Sequence, residues 1–297
     1  AGLVGYIAQN SLEMAVYAAG AGILAVLTLR DAQRISALFR AGLIAAVGYA
    51  SAIVIFQLPS GIAATELLTL LAVALINGLL LSAGLSLAGV FIIGSIFRIV
   101  TPLQLQDLSR LDHPLLQELL RRAPGTYHHS IMVANLAEQA AEKVKANSAL
   151  IRVGAFYHDV GKMNRPPFFT ENQNGGNPHD SLDPYSSARI IIAHVSDGLD
   201  LARKYRLPTR VRDFIGEHHG NRVLKSFYQK AVEAAGDGGE VDKSRFRYAE
   251  PRPQSRETGI VQLADATEAP SSALRPSTEE DIERLVTKIV DEHLKEG

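Results

Sequence analysis

Ser148-Ala149-Leu150-Ile151-Arg152-Val153-Gly154-Ala155-Phe156-Tyr157-His158-Asp159-Val160-Gly161-Lys162 is the stretch on which the reading of this 297-residue chain turns. Ser148 to Tyr157 reads as an apolar helix, and it closes on a His-Asp pair beside Gly161. Such a pair, buried, needs a partner, because polar groups left unsatisfied in an apolar interior are costly. Upstream, a helix expected from Thr126 carries Val133, Leu136, Ala137, Ala140 and Val144 on one face. His129 shares a face with Val133, Leu136 and Ala140 and points inward, whereas His128 shares one with Met132, Asn135 and Gln139 and points to a wetter side. Before it, Asp112–Arg122 reads as a short connector helix ended by Ala123-Pro124-Gly125.

Downstream, a loop rich in Asn, Gly and Pro covers Asn164–Asp180. Asp183-Pro184 caps a helix through Tyr205, with His194 after Ile190, Ile191 and Ile192. Pro208 opens a helix to His219, in which His218 lies below Val211, Phe214 and Ile215. Ala234–Arg256 reads as an irregular surface segment. Helices follow at Glu257–Glu268, with Asp265 one turn after Val261, and at Thr278–Leu294, introduced by Ser277-Thr278-Glu279-Glu280. No run of alternating apolar residues signals a strand, so the fold class is all-α.

Charge divides the chain. Of 30 basic and 31 acidic side chains, residues 1–100 hold only Glu13, Arg30, Asp31, Arg34, Arg40, Glu66 and Arg98, while every lysine and all nine histidines come later. A mean hydropathy of +0.07 thus averages a membrane-type part with a water-facing part and excludes a single soluble domain. The expected division is a transmembrane region over 1–100, a connector over 101–124 and a catalytic domain over 125–297. Leu12–Leu29 and Ala41–Leu58 read as membrane spans, and Ile62–Val100 as a longer apolar run broken at Asn77-Gly78. Residue 1 does not open a signal peptide, and a chain without an initiator methionine is expected to be part of a longer protein. Arg30, Arg34 and Arg40 lie between the first two spans, and Arg98, Arg110, Arg121 and Arg122 follow the last. Both clusters are cytoplasmic if Ile62–Val100 makes one net crossing, with Gly78–Ile99 spanning and Ile62–Ile76 interfacial or re-entrant. Two full crossings would place the water-facing part outside. Glu66 is expected in the headgroup layer. The expected location is the cell (inner or plasma) membrane, multi-pass, with the lipid bilayer as one partner. A net charge of −1 gives no expectation of a nucleic-acid polymer as partner, and a homo-oligomer stays open.

With no cysteine, disulfides, thiolate zinc sites and iron–sulfur clusters are excluded. The inward-pointing set His129, His158, Asp159, His194, His218 and Asp265, with His219 beside it, calls for metal ions held on nitrogen and oxygen, as iron, manganese or zinc accept. So many histidines with a carboxylate able to bridge exceed the needs of one tetrahedral ion and favour two. Two ions about 3.5–4 Å apart can clamp the attacking and leaving oxygens of a phosphate ester. Lys162 would add a cation beside the phosphate. Arg165 and His179 flank the loop next to this set and are candidate substrate contacts. His128 reads as supporting, and His113 and His293 as surface residues.

Gly125-Thr126-Tyr127-His128-His129-Ser130, His158-Asp159-Val160-Gly161-Lys162, Glu217-His218-His219-Gly220, Phe246-Arg247-Tyr248 with Pro251 and Pro253-Gln254, and Leu263-Ala264-Asp265 resemble the HD-domain superfamily. More narrowly, they are similar to the seven-transmembrane HD-domain receptors, whose HD domains hydrolyse cyclic di-AMP. The resemblance runs over residues 40–294. It implies a cytosolic all-helical HD domain with two divalent ions, iron or manganese, and conversion of cyclic di-AMP to linear pApA. By the same resemblance, His129, His158, Asp159 and Asp265 hold one ion, and Asp159, His194, His218 and His219 hold the other, with Asp159 bridging. Such receptors carry a sensor region and more spans ahead of this point. Pro270, soon after Asp265, stands where the helix is expected to continue and reads as an early end to it. Two rivals remain: a mononuclear HD nucleotide or alarmone phosphohydrolase using only His129, His158, Asp159 and Asp265, and a non-catalytic nucleotide-binding membrane receptor.

Overall fold

The computed structural model describes residues 19–20, 23, 35–82, 84, 88–89, 92, 94, 100–236, 239–249, 251–274 and 277–296. They are helical and contain no strand, only an isolated antiparallel bridge between Val223 and Arg247. The chain divides into two compact units, 1–103 and 104–297.

In the first unit, α1 (Ile35–Gln57) and α2 (Ala64–Ile76) are joined by a short 3-10 turn, Leu58–Ser60, and α2 runs on without a break into a π-helical stretch, Asn77–Ser82. Phe39–Ser60 is long and apolar enough to cross a membrane. The seam between these helices is made of small residues: Ala41, Ala45, Ala46, Ala52 and Ala74 are buried, whereas Phe39, Leu43, Val47, Ile55, Leu68 and Val73 are exposed. Large side chains outward and small ones inward is the arrangement of helices packed in lipid. Asn77-Gly78 does not interrupt the run, contrary to the sequence expectation. Gly78 is a point of close approach, where an added Cβ would collide with Ala46 of α1. From Ala64 on, the segment Ile62–Ile76 is thus continuous with the helical stretch to Ser82. Glu66 lies exposed in the first turn of α2, where the helix dipole favours a carboxylate. The expected spans Leu12–Leu29 and Gly78–Ile99 fall mostly outside the described residues.

The second unit comprises α3 (Pro102–Leu108, whose first two residues belong to the first unit), α4 (Pro114–Arg122), α5 (Pro124–Lys143), α6 (Ser148–Tyr157), α7 (Pro184–Lys204), α8 (Thr209–Glu217), α9 (Lys225–Ala235), α10 (Arg256–Leu274) and α11 (Glu279–Glu296). At its centre is α6, capped by the Asn147 side chain, which accepts from the Leu150 N–H at 3.1 Å. Ile151, Val153, Ala155, Phe156 and Tyr157 are at most 2% exposed, each large one contributing about 1.5–3 kcal/mol by leaving water. α5, α8 and α10 pack around this helix. Gly154 is the seat of Phe214 from α8. The Tyr157 hydroxyl donates to the Leu108 carbonyl at 3.0 Å. α4 buries Leu115, Leu116 and Leu119. His113 caps α4, its Nδ1 accepting from the Leu115 N–H at 3.3 Å.

Four sequence expectations change. Pro124 sits in the first turn of α5, which begins two residues before Thr126, because proline has no N–H to lose there. The buried face of α5 is Thr126, Tyr127, Ser130, Val133, Ala134, Ala137 and Ala141, while Leu136, Ala140 and Val144 are exposed. α9 arises where no helix was expected, and it packs Ala231, Phe227 and Tyr228 with Phe246 and Ala188 in a small second core. α10 continues through Pro270 to Leu274.

Candidate metal centre

Five helices aim side chains at one point. His129 comes from α5, His158 and Asp159 from the end of α6, His194 from the middle of α7, His218 and His219 from the end of α8, and Asp265 from α10. The motif following α6 is seated against α7 so closely that an added Cβ on Gly161 would meet the His194 carbonyl and the Gly198 N–H. Only glycine lets the backbone come this near, which brings Asp159 to His194.

The groups form two sets sharing Asp159. Ligand atoms of His129, His158, Asp159 and Asp265 lie within 4.8 Å of one another, and so do those of Asp159, His194, His218 and His219. The two oxygens of Asp159 divide between them. Oδ2 is 3.1 Å from His158 Nε2 and 3.6 Å from His129 Nε2, whereas Oδ1 is 3.4 Å from His194 Nε2 and 3.5 Å from His218 Nε2. Asp265 Oδ1 is 2.9 Å from His129 Nε2 and 3.6 Å from His158 Nε2. His158 and Asp159 are 0% and 1% exposed, yet His158 Nε2 and Asp159 Oδ1 make no hydrogen bond. Buried polar atoms are rarely left so, unless an ion satisfies them. Neutral imidazole nitrogens with carboxylates and no sulfur are donors suited to a divalent ion, so the set fits a divalent metal site.

Orientation comes from the far side of each ring. His158 Nδ1 donates to the Ala155 carbonyl at 2.7 Å, His194 Nδ1 to Ile191 at 2.6 Å and His218 Nδ1 to Ile215 at 2.9 Å. These bonds turn each Nε2 toward the centre. His129 differs: its Nδ1 donates to Glu268 Oε2 at 2.6 Å, and Glu268 Oε1 accepts from Ser272 Oγ at 2.6 Å. The ring of His219 is stacked on Tyr248, with centroids 4.4 Å apart.

Burial favours neutral imidazole at His218 and pushes the His219 ring well below its usual range. At His129 burial acts the same way but is outweighed by Asp265 and Glu268, which hold its pKa up at about 9. Burial is likewise overcome at His158, by Asp159, to about 10. Asp159 and Asp265 stay ionised despite their burial, held well below the carboxylate range by His158 and by His129 respectively.

Lys162, expected beside a phosphate, lies between carboxylates, its Nζ 2.6 Å from Asp159 Oδ2 and 3.1 Å from Glu171 Oε1. Glu171 Oε1 also accepts from Thr126 Oγ1 at 2.9 Å, and Asn172 Oδ1 accepts from the Thr126 N–H at 3.2 Å. The segment expected as a plain loop is thus a chain of 3-10 turns clamped on the start of α5. Arg165 pairs with Asp197 at 2.8 Å and is partly exposed. His179, expected to touch substrate, is instead buried, its Nε2 donating to the Phe168 carbonyl at 3.0 Å and its ring packed by Phe168 and Phe227. It holds the loop. His128 is exposed. The sequence reading missed Glu268, Glu171 and Glu217. Glu268 had a signal, standing three residues after Asp265 on the same helical face. Glu217, buried beside His218, accepts from the Gln254 N–H and the Thr258 hydroxyl at 2.8 and 2.7 Å, tying the start of α10 to the end of α8.

The model of the HD domain matches residues 126–269, and that of the 7TM receptor with intracellular HD hydrolase matches residues 1–101. The chain is 46% identical over 202 residues to cyclic-di-AMP phosphodiesterase PgpH of Bacillus subtilis (strain 168), covering 68% of this chain and 28% of that protein. It is 40% identical over 281 residues to the protein of that name from Listeria monocytogenes serotype 1/2a (strain 10403S), covering 93% of this chain and 38% of the other. The chain therefore spans well under half the length of these relatives. The crystal structure of the L. monocytogenes PgpH HD domain in complex with cyclic-di-AMP superposes with a TM-score of 0.58 at 45% identity, over 63% of this chain and 87% of that one.

Proposed function

The chain belongs to the family of 7TM receptors with an intracellular HD hydrolase, and from that membership we propose that it is a membrane-anchored phosphodiesterase opening cyclic di-AMP to linear pApA. The observation that carries this reading is the division of the Asp159 carboxylate, one oxygen toward each of two four-residue sets. His129, His158 and Asp265 would hold one divalent ion, His194, His218 and His219 the other, and Asp159 both, with iron or manganese the ions that the nitrogen and oxygen donors suit. When bound, such a pair supplies Lewis acidity and lowers the pKa of water at the site. The protein's own part is to hold the rings by their Nδ1 hydrogen bonds, to keep Asp159 ionised, and to place the Lys162 ammonium where negative charge develops. Arg165, at the edge of this loop, is the candidate contact to a nucleotide. A single-ion hydrolase would leave the convergence of His194, His218 and His219 on Asp159 without purpose.

Membrane region 1–100, connector 101–124 and HD domain 125–297 are the proposed functional division, supported by the gap between the two family matches, which end at 101 and begin at 126. The HD domain is assigned to the cytoplasmic face of a multi-pass inner or plasma membrane protein, an orientation supported by Arg98, Arg110, Arg121 and Arg122 after the apolar region. The test is metal analysis with turnover. The purified chain should hold close to two ions and cleave cyclic di-AMP in preference to cyclic di-GMP, and Asp159→Ala should lose both ions and all turnover. One ion kept at full affinity by Asp159→Ala would overturn the shared-ligand reading.

A further inference from the structure

Glu171 belongs to neither of the two four-residue sets, yet it stands one ammonium away from the residue they share. The Lys162 Nζ lies 2.6 Å from Asp159 Oδ2 and 3.1 Å from Glu171 Oε1, so a single cation joins the two carboxylates. The joint is built from several sides. Glu171 Oε1 also accepts from the Thr126 hydroxyl at 2.9 Å, that hydroxyl accepts from Asn172 Nδ2 at 2.7 Å, and Asn172 Oδ1 accepts from the Thr126 N–H at 3.2 Å. Gly125 admits the segment, since an added Cβ there would collide with the Glu171 carbonyl. Phe169, 5% exposed, has its ring centroid 5.3 Å from the Lys162 Nζ and 5.7 Å from that of the His194 ring, within the range at which a cation is attracted to an aromatic face.

Thr126 lies in the first turn of α5, the helix that carries His129, so the grip on Lys162 is anchored to an element that also bears a proposed ligand. A lysine has a flexible four-carbon stem, and its ammonium keeps one place only when partners on more than one side hold it. The Asp159 oxygen that Lys162 meets is the one facing His158 and His129. The side chains of Lys162 and Asp159 are 13% and 1% exposed, so water screens the charges there little. With Asp159 as its sole carboxylate, the ammonium would contend for that oxygen with any divalent cation, and like charges repel strongly at so short a range. A second carboxylate divides the attraction of the ammonium and leaves Asp159 more of its negative charge. Glu171 supplies that division.

We propose that Glu171 is a positioning residue, which shares the Lys162 ammonium with Asp159 and so fixes that cation beside the metal-binding sets without letting it tie up the oxygen an ion needs. The inference rests on the metal-site reading above. Wild type, Glu171→Gln, Lys162→Met and the double variant are compared as full chains in detergent, with folding checked by circular dichroism. Each is titrated with manganese by calorimetry and then, loaded with manganese, assayed on cyclic di-AMP and on bis(p-nitrophenyl) phosphate. Glu171→Gln should raise the manganese Kd several-fold and lower kcat on the order of fivefold with KM little changed, the size of a charge-assisted contact partly open to water. In the Lys162→Met background most of both losses should vanish, because the group through which Glu171 acts is gone. Glu171→Asp, which keeps the charge, should recover part of each, whereas a merely structural role predicts no such dependence on Lys162. Losses that persist in full in the double variant, in either readout, overturn the assignment, and so does an unaltered Kd or kcat in Glu171→Gln. If Lys162→Met does not fold, losses in Glu171→Asp equal to those in Glu171→Gln overturn it. Failure of the substrate reading shows separately, as wild-type protein that binds manganese and leaves cyclic di-AMP intact, and the manganese titrations then decide the role of Glu171.

Discussion

Glu268 and His113 show how single side chains set the properties of this fold. A carboxylate behind a ligating histidine makes its ring a stronger donor than a backbone carbonyl does, and among the histidines proposed as ligands His129 is the one with such a bond, to Glu268. Glu268→Gln keeps the shape and loses the charge, so metal affinity should fall about 10- to 100-fold, read by competition with a chelator. Glu268→Asp should recover part of it, whereas a merely structural role would leave the metal affinity untouched. His113 was expected at the surface, but burial and the rings of Tyr157 and Tyr205 surround it. Burial lowers its pKa, more than Asp107 and Asp112 raise it. The unfolded chain therefore takes up a proton that the folded one resists. Stability from this group is complete above about pH 6.5 and is lost as the pH falls from there through the lower folded value. His113→Asn, which retains a capping side chain, should flatten that part of the pH–stability curve in denaturant titrations.

Helix phase explains both what the sequence disclosed and what it hid. The start of α7 was legible because Asp183 and Pro184 are chemical punctuation, and His129 was placed inward correctly although the face drawn around it was not. Leu136 and Val144 are exposed because small residues, Ala134, Ala137 and Ala141, are what the tight approach to α6 admits. Size complementarity between two helices does not show in one helix's hydropathy. α9 went unseen for a similar reason, since its apolar residues serve a small separate core. Pro270 misled because a proline's local cost is overridden when the surrounding helix is anchored on both sides of it, here by Glu268 and Ser272. The contact of Gly161 with α7 gives the clearest test of element packing. Gly161→Ala should cost about 1–3 kcal/mol of stability through overpacking and lower metal occupancy, measured by thermal melting alongside metal analysis. Ordinary stability with full occupancy would show that α7 can yield.

The two units answer to different solvents, and that contrast was plain in the sequence from where its charges lie. In the second unit the seven residues proposed as ligands, four of them buried, are compatible with a folded chain only when their charges and lone pairs are met. An ion held by the folded state and not by the unfolded one stabilises in proportion to the logarithm of its concentration over its Kd. Manganese at 100 times its Kd should therefore add about 2.7 kcal/mol to the second unit, and a chelator should remove it. Melting followed by helical circular dichroism across a manganese series checks this, and a midpoint indifferent to metal would contradict it.

His129 and Asp265 meet across 136 positions of sequence, a separation with a meaning in time. A chain made from its N-terminus presents His129, His158 and Asp159 first, then His194, His218 and His219, and Asp265 last. The set that includes Asp265 cannot close until α10 has been synthesised and has docked on α5 and α6, and contacts so distant in sequence are among the slow ones to form. The nascent chain can complete the Asp159, His194, His218 and His219 set earlier. Completion of that set is thus deferred until α10 has been made, and on the proposed function a domain that still lacks α10 is an inert one.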